Sequence, residues 1–153
     1  DGGLLADLHG EFYRIFNAKD GMALRMASMC GYPMAIITGG RSESITKRFL
    51  QSGIKPEDVY LGSRDKIEDF EDFCRKYDLV PEEILYMGDD IPDYEVMKQC
   101  GCPCCPADAA PEIKSIAIYV SHIIGGDGCG RDVIEQVLKS QGKWMTDKKA
   151  FGW

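Results

Sequence analysis

The chain has 153 residues, 44% of them hydrophobic, so it can bury one core and is expected to form a single domain over residues 1–153. Its 18 basic and 25 acidic side chains give a formal net charge of −7, which argues against a general nucleic-acid binder. The sequence lacks an apolar stretch of the length that a membrane-spanning helix needs, so no membrane association is expected.

Apolar periodicity along the chain switches repeatedly between that of strands and that of helices. A hairpin is expected first, and Asp20 is then expected to cap a helix that ends before Gly31. In chain order, the predicted strands cover residues 4–6, 12–16, 34–38, 59–61, 84–87, 102–105 and 118–120. The helices predicted after Gly31 cover residues 43–52, 66–77, 94–99, 111–116 and 131–140.

This alternation of strands and helices predicts an α/β fold with a doubly wound, mostly parallel sheet and an N-terminal β-hairpin. Residues 143–153 have no clear period and are expected to be a tail or a docking segment. The sequence contains no internal repeat and no linker that would divide it into two domains.

Seven cysteines occur in the sequence, and four of them crowd into residues 100–105. The run alternates like a buried strand, and a reduced cysteine packs as a small hydrophobe. A zinc or disulfide cluster is the alternative, but the spacing differs from the separated pairs of a structural zinc site. We therefore favour a core strand. The odd number of cysteines, with no secretory signal pattern, indicates reduced thiols and a cytoplasmic protein.

Ligands of open α/β sheets bind at the carboxyl ends of strands, and polar residues follow several strands here. The first such segment, Thr38-Gly39-Gly40-Arg41-Ser42, permits two interpretations. Its glycines can let backbone N–H groups approach an anion closely, or the segment is a tight turn in which Ser42 caps a helix. The residues themselves do not decide between these interpretations.

The second segment holds three carboxylates, Asp89, Asp90 and Asp93, directly after Gly88. Their mutual repulsion would be offset by Mg²⁺, which prefers oxygen ligands. A solvated acidic turn that caps the next helix is the alternative; we favour the metal. Lys66 lies near a helix N-terminus, where a lysine is disfavoured unless an anion pairs with it. Taken alone, Lys66 is better explained as an ordinary surface lysine.

Together, a hydroxyl–glycine turn, a lysine and Gly-Asp-Asp-x-x-Asp at consecutive strand ends resemble the haloacid dehalogenase superfamily of phosphotransferases. The resemblance implies that Thr38 binds the phosphoryl group, that Lys66 neutralises it, and that Asp89 ligates Mg²⁺. It also implies that Asp93 orients Lys66.

Three further features resemble one branch of that superfamily, the 3-deoxy-D-manno-octulosonate 8-phosphate phosphatase family. These are residues 16–21 after the hairpin, the short spacing with no cap domain, and Gly125-Gly126-Asp127-Gly128 followed by Arg131. The resemblance covers residues 1–142. It implies a Mg²⁺-dependent phosphatase of lipopolysaccharide biosynthesis, which hydrolyses the phosphorylated sugar acid.

The same resemblance implies a homotetramer in which the hairpin and the C-terminal segment of one subunit help to close a neighbouring active site. Besides Lys66, it assigns to substrate binding a set of residues on three segments: Asn17, Ala18, Lys19, Asp20, Gly21, Arg25, Gly39 and Arg48.

Two departures from the family pattern bear on function. Family members commonly carry an arginine directly after Thr-Gly, where this chain has Gly40, so a nine-carbon ulosonate 9-phosphate is an alternative substrate. The first motif, Asp-x-Asp-Gly, would lie just before Asp1 and is not in this sequence, so we do not assign Asp1 as the nucleophile. We expect that the central strand carrying this motif precedes the sequence given.

In the implied mechanism, an aspartate of that motif attacks the phosphoryl group, and water hydrolyses the aspartyl-phosphate. The alternative without an enzymatic activity is a phosphatase-like module that has lost its nucleophile and holds a tetramer together. A receiver-type signalling domain also gathers Asp, Thr and Lys at strand ends, but the hairpin before the first helix argues against it.

Overall fold

Short strands and longer helices alternate along the chain in the computed structural model, which describes residues 2–10 and 12–147. The strands are β1 (Leu5–Ala6), β2 (Phe12–Tyr13), β3 (Ile36–Thr38), β4 (Val59–Leu61), β5 (Leu85–Met87), β6 (Cys102–Cys105) and β7 (Tyr119–Val120). The α-helices are α1 (Ala18–Met29), α2 (Glu43–Leu50), α3 (Lys66–Tyr77), α4 (Tyr94–Met97), α5 (Pro111–Ile116) and α6 (Cys129–Ser140). Short 3-10 helices cover Pro56–Asp58, Pro81–Glu83 and Ile91–Asp93.

The strands that follow the hairpin are all parallel to their partners, as the sequence predicts, but they form two sheets. β3 pairs with β4, and β6 lies between β5 and β7; β1 and β2 form the antiparallel hairpin. Within the described residues, no strand pairing joins β3 to β5. The single doubly wound sheet that the sequence predicts is therefore present as two separate parallel sheets.

Apolar side chains connect the two parallel sheets. Phe70 and Cys74 of α3 pack with Val96, and Ile37 of β3 and Tyr86 of β5 contact this same cluster. Phe70 is 2% exposed, and burying a side chain of that size stabilises a fold by about 1.5–3 kcal/mol. The core therefore holds β3 and β5 in one region of the molecule.

A second group of contacts holds α1 against α6. Met26 of α1 and Leu138 of α6 are buried together, and Trp144 packs against them from the segment that follows α6. Part of the predicted tail is thus folded onto the domain. The remainder, residues 148–153, lies outside the described residues.

The boundaries of α1 and of the hairpin differ from the predictions. Asn17, not Asp20, caps α1: its side-chain oxygen accepts a hydrogen bond from the Lys19 N–H at 2.9 Å. The hairpin strands have two residues each and are exposed on both faces. In contrast, the predictions for residues 66–77, 102–105 and 111–116 match the structure at both ends. Among the described helices, none is long and apolar enough to cross a membrane.

Candidate active site

The turn after β3 is fixed to the turn after β4. The Thr38 side-chain oxygen accepts a hydrogen bond from the Gly40 N–H at 3.1 Å, and its carbonyl accepts one from Ser63 at 3.0 Å. Ser42 caps α2, with its side-chain oxygen accepting a hydrogen bond from the Ser44 N–H at 3.3 Å. The helix-cap interpretation of this segment is therefore confirmed, while a role in binding an anion stays a prediction.

Lys66 is not an ordinary surface lysine. It is the first residue of α3, and its Nζ lies 2.6 Å from Asp93 Oδ1. The Asp93 side chain is 5% exposed and that of Lys66 is 17% exposed. A buried carboxylate needs such a partner, because removing the charge from water is costly unless it is paired and hydrogen-bonded.

Two further contacts fix the Asp93 carboxylate. Tyr86 donates its hydroxyl to Oδ1 at 2.7 Å, and the Asp89 N–H donates to Oδ2 at 3.2 Å. Burial, reinforced by the negative charge of Asp93, raises the pKa of Tyr86, so its hydroxyl keeps the proton that it donates. Gly88 is required for this approach, since a Cβ there would lie 2.4 Å from the Asp93 Cβ.

Asp89 is exposed at the end of β5, and its carbonyl accepts a hydrogen bond from the Ala110 N–H at 2.9 Å. In the part of the chain that the structure describes, its carboxylate has no hydrogen-bond partner. Neither Asp90 nor Asp93 caps the following helical segment through its side chain. The donor chemistry of Asp89 suits Mg²⁺, but residues 2–10 and 12–147 contain no cluster of three acidic, histidine or cysteine side chains that could hold a metal.

A cavity of about 150 Å³ lies between the start of α1 and the end of α2. It brings together four of the predicted substrate-binding residues, Asn17, Asp20, Gly21 and Arg48, with Phe16, Phe49, Ser52 and Gly126 among the other lining residues. Gly21 leaves room for the Arg48 guanidinium, since a Cβ there would lie 2.3 Å from Arg48 Nη2. Ala18, Lys19, Arg25 and Gly39 do not line this cavity, and neither do Thr38, Lys66, Asp89 and Asp93.

The start of α1 also holds the glycine-rich loop before α6. Asn17 donates its side-chain amide to the Gly126 carbonyl at 3.0 Å, and Asp20 Oδ1 accepts the Arg131 N–H at 2.7 Å. Burial raises the pKa of Asp20, although hydrogen bonds from the backbone N–H groups of Arg131 and Gly130 oppose the effect. Asp20, a residue of α1, thus accepts hydrogen bonds from backbone N–H groups at the N-terminus of α6. A capping residue of α6 itself would normally do this.

Arg14 is a candidate that the sequence analysis missed. Its Nη2 lies 3.4 Å from where a Cβ of Gly40 would stand, so a basic side chain from the end of the hairpin approaches the Thr38–Gly40 turn. The two positions are 26 residues apart, and only the folded chain brings them together. The exposed Arg14 thereby adds a positive charge beside the expected phosphoryl site.

Comparison with known proteins places these features in a family. Residues 36–129 match the haloacid dehalogenase-like hydrolase family. The chain is 36% identical over 143 residues to 3-deoxy-D-manno-octulosonate 8-phosphate phosphatases KdsC from Salmonella typhi and Escherichia coli K12, covering 94% of this chain and 75% of theirs.

Solved structures of the same phosphatase family are also similar to this chain. A 3-deoxy-D-manno-octulosonate 8-phosphate phosphatase from Yersinia pestis superposes with a TM-score of 0.90 at 33% identity, covering 95% of this chain and 77% of that one. The enzyme from Moraxella catarrhalis, in complex with magnesium, phosphate and KDO, gives a TM-score of 0.90 at 25% identity, covering 99% and 86%.

The match over residues 36–129, more than half of the chain, identifies a haloacid dehalogenase-like hydrolase. The 36% identity over 94% of this chain narrows the assignment from this class to one family within it. This chain belongs to the 3-deoxy-D-manno-octulosonate 8-phosphate phosphatase family.

Proposed function

We propose that the protein is a Mg²⁺-dependent phosphatase that hydrolyses 3-deoxy-D-manno-octulosonate 8-phosphate to the free sugar acid and phosphate in lipopolysaccharide biosynthesis. The observation that carries the proposal is the buried Lys66–Asp93 pair beside the exposed Asp89 carboxylate. Curated relatives with 36% identity act on this substrate by name, which supports the same assignment.

In this proposal, Lys66 stabilises charge on the phosphoryl group directly, and Asp89 does so through the metal that it holds. Asp93 and Tyr86 hold the Lys66 ammonium in one position, so that its charge is already placed for the transferring oxygens. Asp89 would be one of the ligands of Mg²⁺, and the ion would supply Lewis-acid stabilisation of the phosphoryl oxygens. Thr38 binds the phosphoryl group through its hydroxyl and the adjacent Gly39 N–H.

The sugar-acid part of the substrate is assigned to the cavity and its surroundings. Arg48 lines the cavity beside Gly21 and can pair with a carboxylate, while Asn17 offers an amide. Among the remaining predicted contacts, Arg25 lies on α1 as well, and its Nε is buried with no hydrogen-bond partner among the described residues. Ala18, Lys19 and Asp20 belong to the first turn of that helix. Because the net charge is −7, attraction of an anionic substrate has to come from such local basic groups.

Assembly into a homotetramer is part of the proposal. The hairpin exposes apolar side chains that a monomer would leave in water: Leu5 is 71% exposed, Leu8 102% and Ile15 97%. Several exposed apolar side chains within one short segment are typical of protein–protein contacts. We propose that the hairpin and the C-terminal segment of one subunit contact a neighbouring active site. All seven cysteines are free thiols, which supports the proposed cytoplasmic location.

The direct test is phosphate release from 3-deoxy-D-manno-octulosonate 8-phosphate, compared with a nine-carbon ulosonate 9-phosphate, with Mg²⁺ and with a chelator. We expect the eight-carbon substrate to have the higher kcat/KM and the chelator to stop the reaction. A preference for the nine-carbon substrate would instead support the alternative substrate, which is suggested by Gly40 at the position where family members commonly carry an arginine. No turnover of either substrate by an intact oligomer would contradict an enzymatic role and favour an assembly module.

A further inference from the structure

Two thiols on β6 lie side by side in a region that the proposed phosphatase reaction does not use. Cys102 and Cys104 are two residues apart on a strand, so their side chains point to the same face of the sheet. Their Sγ atoms are 3.8 Å apart, and neither cysteine is in a disulfide. The pair therefore offers two sulfur ligands to one acceptor atom.

Both cysteines line a cavity of about 270 Å³ between the sheet and α6. Its opposite wall carries Val133 and Val137, with Gln136 and Ser140 on the same helix. An apolar cavity of about 150 Å³ is enough to hold benzene in a folded protein. The space next to the two sulfurs can therefore receive an aromatic or aliphatic group attached to the atom that bridges them.

We propose that Cys102 and Cys104 form a dithiol binding site for trivalent arsenic compounds, with the organic substituent of the arsenic placed in the cavity against α6. For an arsenic oxide R–As=O, two S–H bonds and the As=O bond break, and two As–S bonds form. The two protons leave with the oxygen as water, and no atom changes its oxidation state. The reaction needs no oxidant or other co-reactant.

The spacing favours a bridge through one atom over a direct disulfide. A disulfide would require the sulfurs to approach to about 2.05 Å, across two positions of a strand whose backbone is fixed by pairing on both sides. A bridging atom instead accommodates a separation close to the existing 3.8 Å. The strand can then keep its register with β5 and β7.

The two thiols differ in exposure, which predicts the order of reaction. Cys102 is partly exposed and can react first, whereas Cys104 is 1% exposed. Burial raises the pKa of the Cys104 thiol, so this group is a poor nucleophile toward reagents in solution. Once Cys102 has bound the arsenic, the bond to Cys104 forms in an intramolecular step. This step is faster than a reaction of Cys104 with reagent from solution, because the two groups are already held close together. Reagents that bond one sulfur only are expected to stop at Cys102.

The experiment is intact-mass measurement of the protein treated with phenylarsine oxide. One adduct per chain is expected, with the mass of the reagent less one water. A small dithiol should remove the adduct, and a monothiol should not. Cys102→Ser and Cys104→Ser should each lose the adduct, whereas Cys30→Ser, which removes another partly exposed thiol, should keep it.

Cys102→Ser is the decisive variant because its side chain is only partly buried, and circular dichroism with thermal melting checks that it folds. An adduct that persists in folded Cys102→Ser, or that a monothiol removes from the unaltered protein, would overturn the proposal. The readout is a mass, so the result does not depend on whether the protein is a phosphatase.

Discussion

Lys66 at the start of α3 and Asp93 after β5 form a 2.6 Å ion pair across 27 residues of sequence. The pair connects the helix that follows β4 to the loop that carries Asp89. An ammonium group at a helix N-terminus opposes the helix dipole, and the buried carboxylate offsets that cost. The same contact that stabilises the fold thus places a cation next to the proposed metal ligand.

Lys66→Ala is expected to lose most of the turnover and to lower stability. It leaves the Asp93 carboxylate, 5% exposed, without its cationic partner, and breaking a buried pair in this way costs about 3–5 kcal/mol. Phosphate release and urea unfolding measure the two effects. Lys98→Ala is the matched control, because Lys98 pairs with Glu95 at the surface and should change neither. A folded Lys66→Ala protein with wild-type turnover would return Lys66 to a purely structural role.

Asp89→Asn tests the proposed metal ligand without disturbing the fold. The Asp89 side chain is exposed, and its contacts to Asp93 and Ala110 are made by the backbone, so stability should change by less than about 0.5 kcal/mol. Mg²⁺-dependent phosphate release should be abolished while the oligomer stays intact. Asp90→Asn, a change of the adjacent exposed carboxylate, serves as the control. Equal activity in the two variants would remove Asp89 from the metal site.

Gly88→Ala tests the close approach of the β5 end to Asp93. The new methyl group would lie 2.4 Å from the Asp93 Cβ and 2.9 Å from Met97 Sδ, so the loop has to shift. Overpacking of this kind costs about 1–3 kcal/mol, and the Lys66–Asp93 distance should lengthen with a loss of kcat. Gly2→Ala, where a Cβ meets nothing within 4 Å, controls for the substitution itself. Unchanged stability and kcat in Gly88→Ala would contradict this interpretation.

Arg14→Gln is expected to raise KM for the phosphorylated substrate about ten- to hundredfold with a smaller change in kcat, because a charged contact to an anion is worth about 1.5–3 kcal/mol. Arg14 reaches the Gly40 turn from the hairpin, and it is exposed, so its loss should not unfold the protein. Steady-state kinetics separate the two constants. Arg75→Gln, an exposed arginine on α3, should leave both unchanged. A wild-type KM in Arg14→Gln would place Arg14 outside the substrate site.

The sequence predicts both ends of an element where neighbouring residues along the chain determine them, as for α3 and β6. The limits of α3 follow from the amphipathic spacing after Asp65, whose side chain caps it, and β6 follows from the alternation of its cysteines. The start of α1 was predicted wrongly, because Asn17 and Asp20 are both able to cap a helix. Asp20 does not cap α1 because its side chain accepts a hydrogen bond from the Arg131 N–H at the start of α6, 111 residues further along the chain. A contact at that sequence distance cannot be read from the local sequence.

In the candidate site too, some residues could be found from the local sequence and others only from the folded chain. The polar residues after β3 and β5 stand out in the sequence because they follow buried strands. Resemblance to a family implies that Asp93 orients Lys66; the structure shows their 2.6 Å contact, and the catalytic role of the pair stays a prediction. Arg14 could not have been found in this way, because its approach to Gly40 depends on how the hairpin lies against the domain.

Asp20→Asn should make the protein less sensitive to rising pH. Burial raises the pKa of Asp20 above its ordinary value of 3.8, so the folded state binds its proton more tightly than the unfolded state does. Stability therefore falls as pH rises from the unfolded pKa through the folded pKa, because the charged form is disfavoured on folding. Asparagine keeps an oxygen that can accept the Arg131 N–H at this position but carries no charge.

The free energy of unfolding of Asp20→Asn should thus equal or exceed that of the unaltered protein at neutral pH, and the difference should shrink on acidification. Urea unfolding from about pH 4 to about pH 7 measures it. Asp20→Ala, which removes the acceptor as well as the charge, should lose about 1 kcal/mol of stability at every pH relative to Asp20→Asn. A stability difference between Asp20→Asn and the unaltered protein that is constant over this range would show that the pKa of Asp20 is not raised on folding.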